Sequence, residues 1–411
     1  MNQRSYFRVA ILFLIFFVIS LLTNIIGPLV PDIIKSFNLS LTMAAFLPFS
    51  FFAAYGVMSI PAGVLVEKFG EKLVMALSFI LAFAGAFNFC LNPYYSTAIL
   101  SLFLIGLGMA SLQVAVNPLL RVSGGEEHFA FNAVLAQLIF GIASFASPLV
   151  YSHFAIALTS GGEKDSITRA LARVVPPTLP WISMYWIFSV VTLVMILIVL
   201  AMRIPRVERK DDEKTGALEM HVELLKTRVV WLYVIGIFSY VGLEQGLSNW
   251  MSEFLAQQHG INPQVEGASA VSGFWGLMTV GCALGLVLLK FIDSRKVLLL
   301  FSCGAVVALS AAIFGPTSIA LYTFPIMGFA ISVMWSIIFS LALNSVPKNH
   351  GTFSGLLCTG IIGGALVPLL IGSLGDHIGL RTALCLLYLP LAYILSMGIW
   401  ARPLVQNKTL L

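Results

Sequence analysis

Twelve apolar stretches follow one another along the 411-residue chain, each about 19–30 residues long and separated by short polar turns. About 20 apolar residues in helical geometry cross the ~30 Å hydrocarbon core of a bilayer. The pattern predicts membrane-crossing helices at 7–30, 42–65, 73–92, 95–120, 130–155, 179–203, 229–255, 268–291, 296–314, 317–346, 352–374 and 381–402. One charged segment, 203–228, divides them six and six and carries Arg206, Glu208, Arg209, Lys210, Asp211, Asp212, Glu213 and Lys214. Such a segment is too polar to cross a membrane and too short to form a domain. The expected organisation is all-α: a six-helix bundle over 1–203, a cytoplasmic linker over 204–228 with 218–228 as a candidate surface helix, and a second six-helix bundle over 229–411.

Composition sharpens this. The chain is 59% hydrophobic and 10% charged, with mean hydropathy +0.97, whereas soluble domains are about 25% charged. The formal net charge is +5, but its distribution argues against nucleic acid as a partner. With both termini in the cytoplasm, eighteen of the 23 Lys and Arg residues fall in inside segments, and five (Lys35, Lys164, Arg169, Arg173 and Arg381) fall outside. Basic residues gather on the cytoplasmic side of membrane helices, so the charge sets topology and the implied partner is the lipid bilayer. The first stretch follows Arg4 and Arg8 but lacks a small-residue cleavage site, so it reads as a retained helix rather than a signal peptide. Cys90, Cys282, Cys303, Cys358 and Cys385 all lie in apolar stretches. Their odd number and spacing suit neither a disulfide framework nor a metal site, and burial in the core is expected.

The two halves echo each other. Gly63, Lys68, Phe69 and Glu71, after the second stretch, align with Gly285, Lys290, Phe291 and Asp293, after the eighth, at one offset of 222. Glu67, Gly70 and Lys72 belong to the first copy, and a third, with Gly372, Asp376, Gly379 and Arg381, falls on the opposite side of the membrane. Glycines let helices approach closely and charges settle at helix ends. Gly63, Glu67, Lys68, Gly70, Lys72, Asp376 and Arg381 are therefore expected where the halves move against one another.

Polar groups within the stretches are costly and invite explanation. Glu244, in Tyr240-Val-Gly-Leu-Glu244-Gln245, is a carboxylate well inside the seventh stretch with no basic residue at comparable depth. It is expected either to hold a proton or to neutralise a cation, and so to couple transport to an ion; a hydrogen bond to a neighbouring helix is the plainer alternative. Gln113 and Asn117 lie four apart on one face of the fourth stretch, as do Gln245 and Asn249 in the seventh. Asn24 and Gln137 lie in the first and fifth. Amides both donate and accept, which suits hydroxyl-rich ligands, though they also tie helices together. Phe17, Phe274, Trp250, Trp275 and Trp335 offer aromatic faces of the kind that stack on sugar rings, though such rings also pack or face lipid. The candidate solute contacts are thus Asn24, Gln113, Asn117, Gln137, Gln245, Asn249 and Trp275.

No nucleotide-binding signature, Ser-His-Asp arrangement or metal-ligand cluster is present in the sequence. Neither an enzyme nor a resident cofactor is expected, and the driving force falls to an ion gradient of Na+ or H+, or to the solute itself.

Several motifs resemble the fucose/glucose/galactose symporter branch of the major facilitator superfamily. They are Ser59-Ile-Pro61-Ala62-Gly63, Leu112-Gln113-Val-Ala-Val-Asn117-Pro118, Tyr240-Val-Gly-Leu-Glu244, and Ile361-Ile-Gly363-Gly364-Ala-Leu-Val-Pro368. The chain departs from that pattern where the acidic residue of helix 1 falls on Gly27 and where fucose members carry a glutamate in place of Gln113. The resemblance implies the major facilitator fold and a secondary active transporter. That transporter would move a monosaccharide by alternating access. A monomer is expected, and the short loops and compact length point to a bacterial inner membrane. An exporter or facilitator of another small polar or amphiphilic solute, and a non-transporting membrane sensor, are the competing readings.

Overall fold

The structure, a computed structural model, describes residues 6–124, 129–160, 165–202, 204, 224–346 and 350–404. Among the described residues there is no strand, and twelve helical spans are long and apolar enough to cross a membrane. Spans 1 to 6 are Tyr6–Phe37, Leu41–Phe69, Glu71–Leu91, Tyr95–Leu120, Asn132–Thr159 and Pro180–Ala201. Spans 7 to 12 are Arg228–His259, Pro263–Phe291, Ser294–Phe314, Thr317–Leu343, Thr352–Ile378 and Leu380–Trp400. Every predicted stretch is present; span 1 runs furthest beyond its expected end. Most of the charged linker, residues 203 and 205–223, lies outside the described residues, and with it most of the candidate surface helix.

Two spans are broken, for different reasons. Span 1 consists of helices Tyr6–Thr23 and Ile26–Phe37. Pro28 offers no N–H to the Asn24 carbonyl four residues back, and its ring crowds that carbonyl, so the chain turns at Asn24 and Ile25. Span 10 divides into Thr317–Ile331 and Met334–Leu343. No proline stands four residues beyond that break; packing accounts for it. Ser332 and Val333 occupy space that a side chain at Gly281 or Gly285 of span 8 would fill, and the Cys282 Sγ donates to the Ser332 carbonyl at 3.2 Å.

The repeated motif has a structural counterpart. Lys72, opening span 3, donates from Nζ to the carbonyls of Leu200 (2.8 Å) and Met202 (2.7 Å) at the end of span 6. Arg295, opening span 9, reaches the carbonyls of Gly398 (3.3 Å) and Ile399 (2.8 Å) at the end of span 12. In each half a cation satisfies carbonyls that a helix C-terminus leaves without partners. Gly70 and Gly379 turn the chain between spans 2 and 3 and spans 11 and 12 with nearly the same backbone, φ 83°, ψ 160° and φ 80°, ψ 149°. Positive φ of this kind strains any residue with a Cβ.

One expectation is corrected. All five cysteines are free, but Cys90 alone is buried; Cys358 and Cys385 are half-buried, and Cys282 and Cys303 are exposed. A small apolar side chain gains little from burial when the surrounding medium is hydrocarbon, so membrane depth does not imply core packing.

Spans 1–6 meet spans 7–12 along three seams: span 2 on 11, span 5 on 8, and span 1 on 7. The close contacts crowd toward the end of the bundle away from the chain termini. There Asp376 of span 11 accepts from the Leu41 (2.8 Å) and Thr42 (2.9 Å) amides and the Thr42 hydroxyl (2.6 Å), capping span 2. Asp32 of span 1 accepts from the Tyr151 hydroxyl of span 5 and from Gln264 Nε2 of span 8, at 3.0 and 3.2 Å. Each half thus contributes one carboxylate to the other. Gly27 presses against the backbone of Ser248 and Asn249, and Gly372 against Leu41 and Ala45.

Candidate functional site

Glu244 lies half-buried midway along span 7. Its partners come from its own helix: the Tyr240 hydroxyl, four residues back, donates to Oε1 at 2.8 Å, and Gln245 Nε2 approaches Oε2 at 3.4 Å. The Tyr240 ring meets Trp335 of span 10 at 5.9 Å, and Trp335 stacks on Phe339 at 5.9 Å with an interplanar angle of 21°. A carboxylate therefore stands beside an aromatic stack that sits at the break in span 10. Such a group can exchange a proton or a small cation while the aromatic faces receive an apolar C–H surface.

The bond network continues along span 7. Asn249 Nδ2 donates to the Gln245 carbonyl at 2.8 Å and to its Oε1 at 3.3 Å, and Ser248 Oγ contacts the same Oε1 at 3.4 Å. Both amides are buried, with Gln245 5% and Asn249 3% exposed. Gln245 packs on Gly364 of span 11, within spans 7–12, and Asn249 faces Gly27 of span 1, where the two sets of spans are pressed together. Asn24 is also buried, and its Nδ2 donates to Ser144 Oγ at 2.7 Å, which binds the break in span 1 to span 5. Ser20 Oγ joins the same knot, 2.7 Å from Ser144 Oγ.

The span 4 pair differs. Asn117 Nδ2 donates to the Gln113 carbonyl at 3.0 Å, but Asn117 is exposed and Gln113 half-buried. Gly106 marks the face of span 4 turned toward span 2, because a Cβ there would overlap the Phe51 carbonyl. At about 100° per residue Gln113 and Asn117 point within about 20° of that direction, so the pair lies on the face of span 4 turned toward span 2. Gln137 is exposed on span 5. Trp275 is 5% exposed, edge-on to Phe274 at 5.2 Å, and its Nε1 is buried without a hydrogen-bond partner. Among the described residues no hydrogen bond joins Gln113, Asn117, Gln137 or Trp275 to the Glu244 network. In the repeated motif Gly63 is buried, Glu67 half-buried, Lys68 exposed over the Phe69 ring at 5.3 Å, and Arg381 exposed.

Sequence reasoning passed over two groups. Asp32 links spans 1, 5 and 8; its partners are 119 and 232 residues away, beyond any local signal. Glu253 is a second buried carboxylate of span 7, accepting from Gln257 Nε2 at 2.7 Å. That bond is an i, i+4 pair and could have been read from the sequence.

Twelve spans, two of them broken, with a carboxylate at mid-depth are the architecture of a polytopic membrane protein. The profile of the Major Facilitator Superfamily matches residues 12–360, and the chain belongs to that superfamily: a multi-pass integral membrane transporter of the bacterial inner-membrane type, not an enzyme. The chain is 29% identical over 412 residues to a glucose/galactose transporter of Brucella abortus, covering 97% of this chain and 95% of that one. It is 23% identical over 395 residues to an L-fucose-proton symporter of Escherichia coli, covering 92% and 89%. The fold superposes on the crystal structure of the E. coli fucose:proton symporter with TM-score 0.68 at 22% identity, covering 97% of this chain and all of that one.

Proposed function

We propose that the chain is a secondary active transporter that moves a monosaccharide of the glucose, galactose or fucose kind by alternating access, coupled to H+ or Na+. The observation that carries this is Glu244 beside the Tyr240–Trp335–Phe339 stack, in a chain similar over nearly its full length to a glucose/galactose transporter. The relative described as a proton symporter favours H+. In this reading Glu244 takes up the ion. Gln113, Asn117 and Gln137, whose side chains are accessible, hydrogen-bond the sugar hydroxyls, and Trp275, whose unpartnered indole N–H is buried, joins them only once neighbouring side chains move. Asn24, Gln245 and Asn249 meet solute only by exchanging the bonds they now make within the protein. The contacts of Asp376 and Asp32 seal one end of the transport path. With both termini cytoplasmic, the orientation that the distribution of basic residues favours, the sealed end is external and the two six-helix halves stand inward-facing.

Counterflow in proteoliposomes tests the proposal. Vesicles loaded with unlabelled glucose, galactose or fucose should take up the same labelled sugar transiently, without an imposed ion gradient. Absence of counterflow with all three sugars, from protein that remains folded, overturns the sugar reading.

A further inference from the structure

Outside the candidate site, the seam between spans 2, 7 and 11 holds an apolar groove of about 460 Å³, lined by Gly56, Val57, Trp231, Phe238, Gly360 and Ile362, among others. Two of the lining positions lack side chains. A Cβ at Gly56 would reach van der Waals contact with Ile362, and one at Gly360 would crowd the Val234 carbonyl and Ile237. It opens sideways toward the bilayer: Val57 is 62% and Trp231 50% exposed.

Its depth and its mouth indicate the occupant. Trp231 and Phe238 lie three and ten residues beyond Arg228, where span 7 begins. At 1.5 Å per residue the groove therefore runs from roughly 5 to 15 Å into the membrane, the thickness of one leaflet's acyl region. Arg228 precedes Trp231, Ile235 and Phe238 by three, seven and ten residues, so it stands on the helix stripe that lines the groove. Lys226 lies beside it, and both are exposed. The Trp231 indole N–H donates to the Leu225 carbonyl at 2.7 Å, which holds the ring at the mouth. Apolar depth, an amphipathic ring at the rim and two cations above it complement an anionic phospholipid.

We infer that this groove is a binding site for one anionic phospholipid, with an acyl chain between spans 2, 7 and 11 and the phosphate held by Lys226 and Arg228. The site is independent of the sugar reading. Because span 2 belongs to the first six spans and spans 7 and 11 to the last six, a seated chain also wedges the two sets apart at this end.

The test uses the full chain in detergent, incubated with equal amounts of phosphatidylglycerol and phosphatidylcholine, with retained lipid counted by native mass spectrometry. Wild type should keep one phosphatidylglycerol with about a twenty-five-fold preference, since each of the two juxtamembrane cations adds roughly a factor of five. The Lys226→Ala/Arg228→Ala double variant should lose the preference. Val57→Trp, which fills the groove from an exposed position, should lower retention of both lipids several-fold. Phosphatidylglycerol brominated along its acyl chains should quench Trp231, read as the difference between wild type and Trp231→Phe. Equal retention of both lipids by wild type, or an undiminished preference in the double variant, overturns the headgroup assignment. Full retention by Val57→Trp, or no quenching of Trp231, overturns the groove as the acyl site.

Discussion

Gln113–Asn117 in span 4 and Gln245–Asn249 in span 7 share a spacing and a local bond, the Asn amide donating to the Gln carbonyl one turn back. Their surroundings differ. The span 7 pair is buried under Gly27 and Gly364, its amides spent inside the protein, and it continues the chain of bonds that begins at Tyr240 and Glu244. The span 4 pair lies on the face turned toward span 2 yet remains accessible, with Asn117 exposed. One sequence pattern therefore meets two environments. Where another helix presses on the amides they are covered, and where the neighbour stands back they remain accessible.

The sharpest way to break this comparison is at Glu244, where the structural pair borders a group with chemical work to do. Glu244→Gln retains the shape and a partner for the Tyr240 hydroxyl but cannot ionise. It should abolish accumulation of sugar against its gradient, a loss of tenfold or more, while leaving counterflow in place. Wild-type uptake should respond to external pH or Na+, and the variant should not. A variant that still concentrates sugar with unchanged ion dependence would place coupling elsewhere and reduce Glu244 to another structural polar group of span 7.

The next effect is on the scaffold that keeps the span 4 pair on its face. Gly106→Ala puts a methyl group into the Phe51 carbonyl and close to Ala54, both on span 2. Neither is a flexible side chain that can swing away, so the helices must separate. Overpacking of this kind costs typically about 1–3 kcal/mol, to be read as a lower apparent unfolding midpoint in detergent. A midpoint equal to wild type would show that spans 2 and 4 do not hold the close approach.

How far these differences could be read from the sequence depends on the range of the forces involved. Twelve spans were legible because a bilayer demands long apolar runs whatever the tertiary structure. The break in span 1 was also legible in principle, since Pro28 acts on the carbonyl four residues before it. The break in span 10 was not, because it depends on a glycine face in span 8. Likewise Glu244 announced itself as a carboxylate at depth, and Tyr240 sits one helical turn away, so the pair is local. The Asp376–Leu41 and Asp32–Gln264 links join residues 335 and 232 positions apart, and nothing local marks them. Burial of an amide is equally non-local. Gln245 is covered by a helix that enters the chain more than a hundred residues later, which its own i, i+4 neighbour cannot reveal.

On the structural side of the comparison, Asn249→Ala removes the donor to Gln245 and leaves its Oε1 with weaker partners in a buried place. Stranding a buried polar atom costs about 1–3 kcal/mol, and the low end is expected because Ser248 Oγ remains within 3.4 Å. The lower unfolding midpoint should come with little change in sugar affinity for protein that stays folded. A large affinity loss with an unchanged midpoint would reverse the assignment and make Asn249 a solute contact.

The smallest effect, and the one that isolates the solute, belongs to Gln113→Ala and Asn117→Ala. Asn117 is exposed, so truncating it strands nothing inside the protein, and surface changes of this kind usually shift stability by less than about 0.5 kcal/mol. Gln113 keeps its carbonyl in either variant, and its side chain donates to no group among the described residues. If the amides bind sugar hydroxyls, each variant should lose one neutral hydrogen bond in the complex, about 0.5–1.5 kcal/mol or roughly two- to twelvefold in Kd. Titration of sugar into purified protein measures this directly, and the unfolding midpoint measured without sugar provides the control. Equal Kd in wild type and both variants would remove span 4 from the site. A lower midpoint with unchanged Kd would show that this pair, like the one in span 7, only holds helices together.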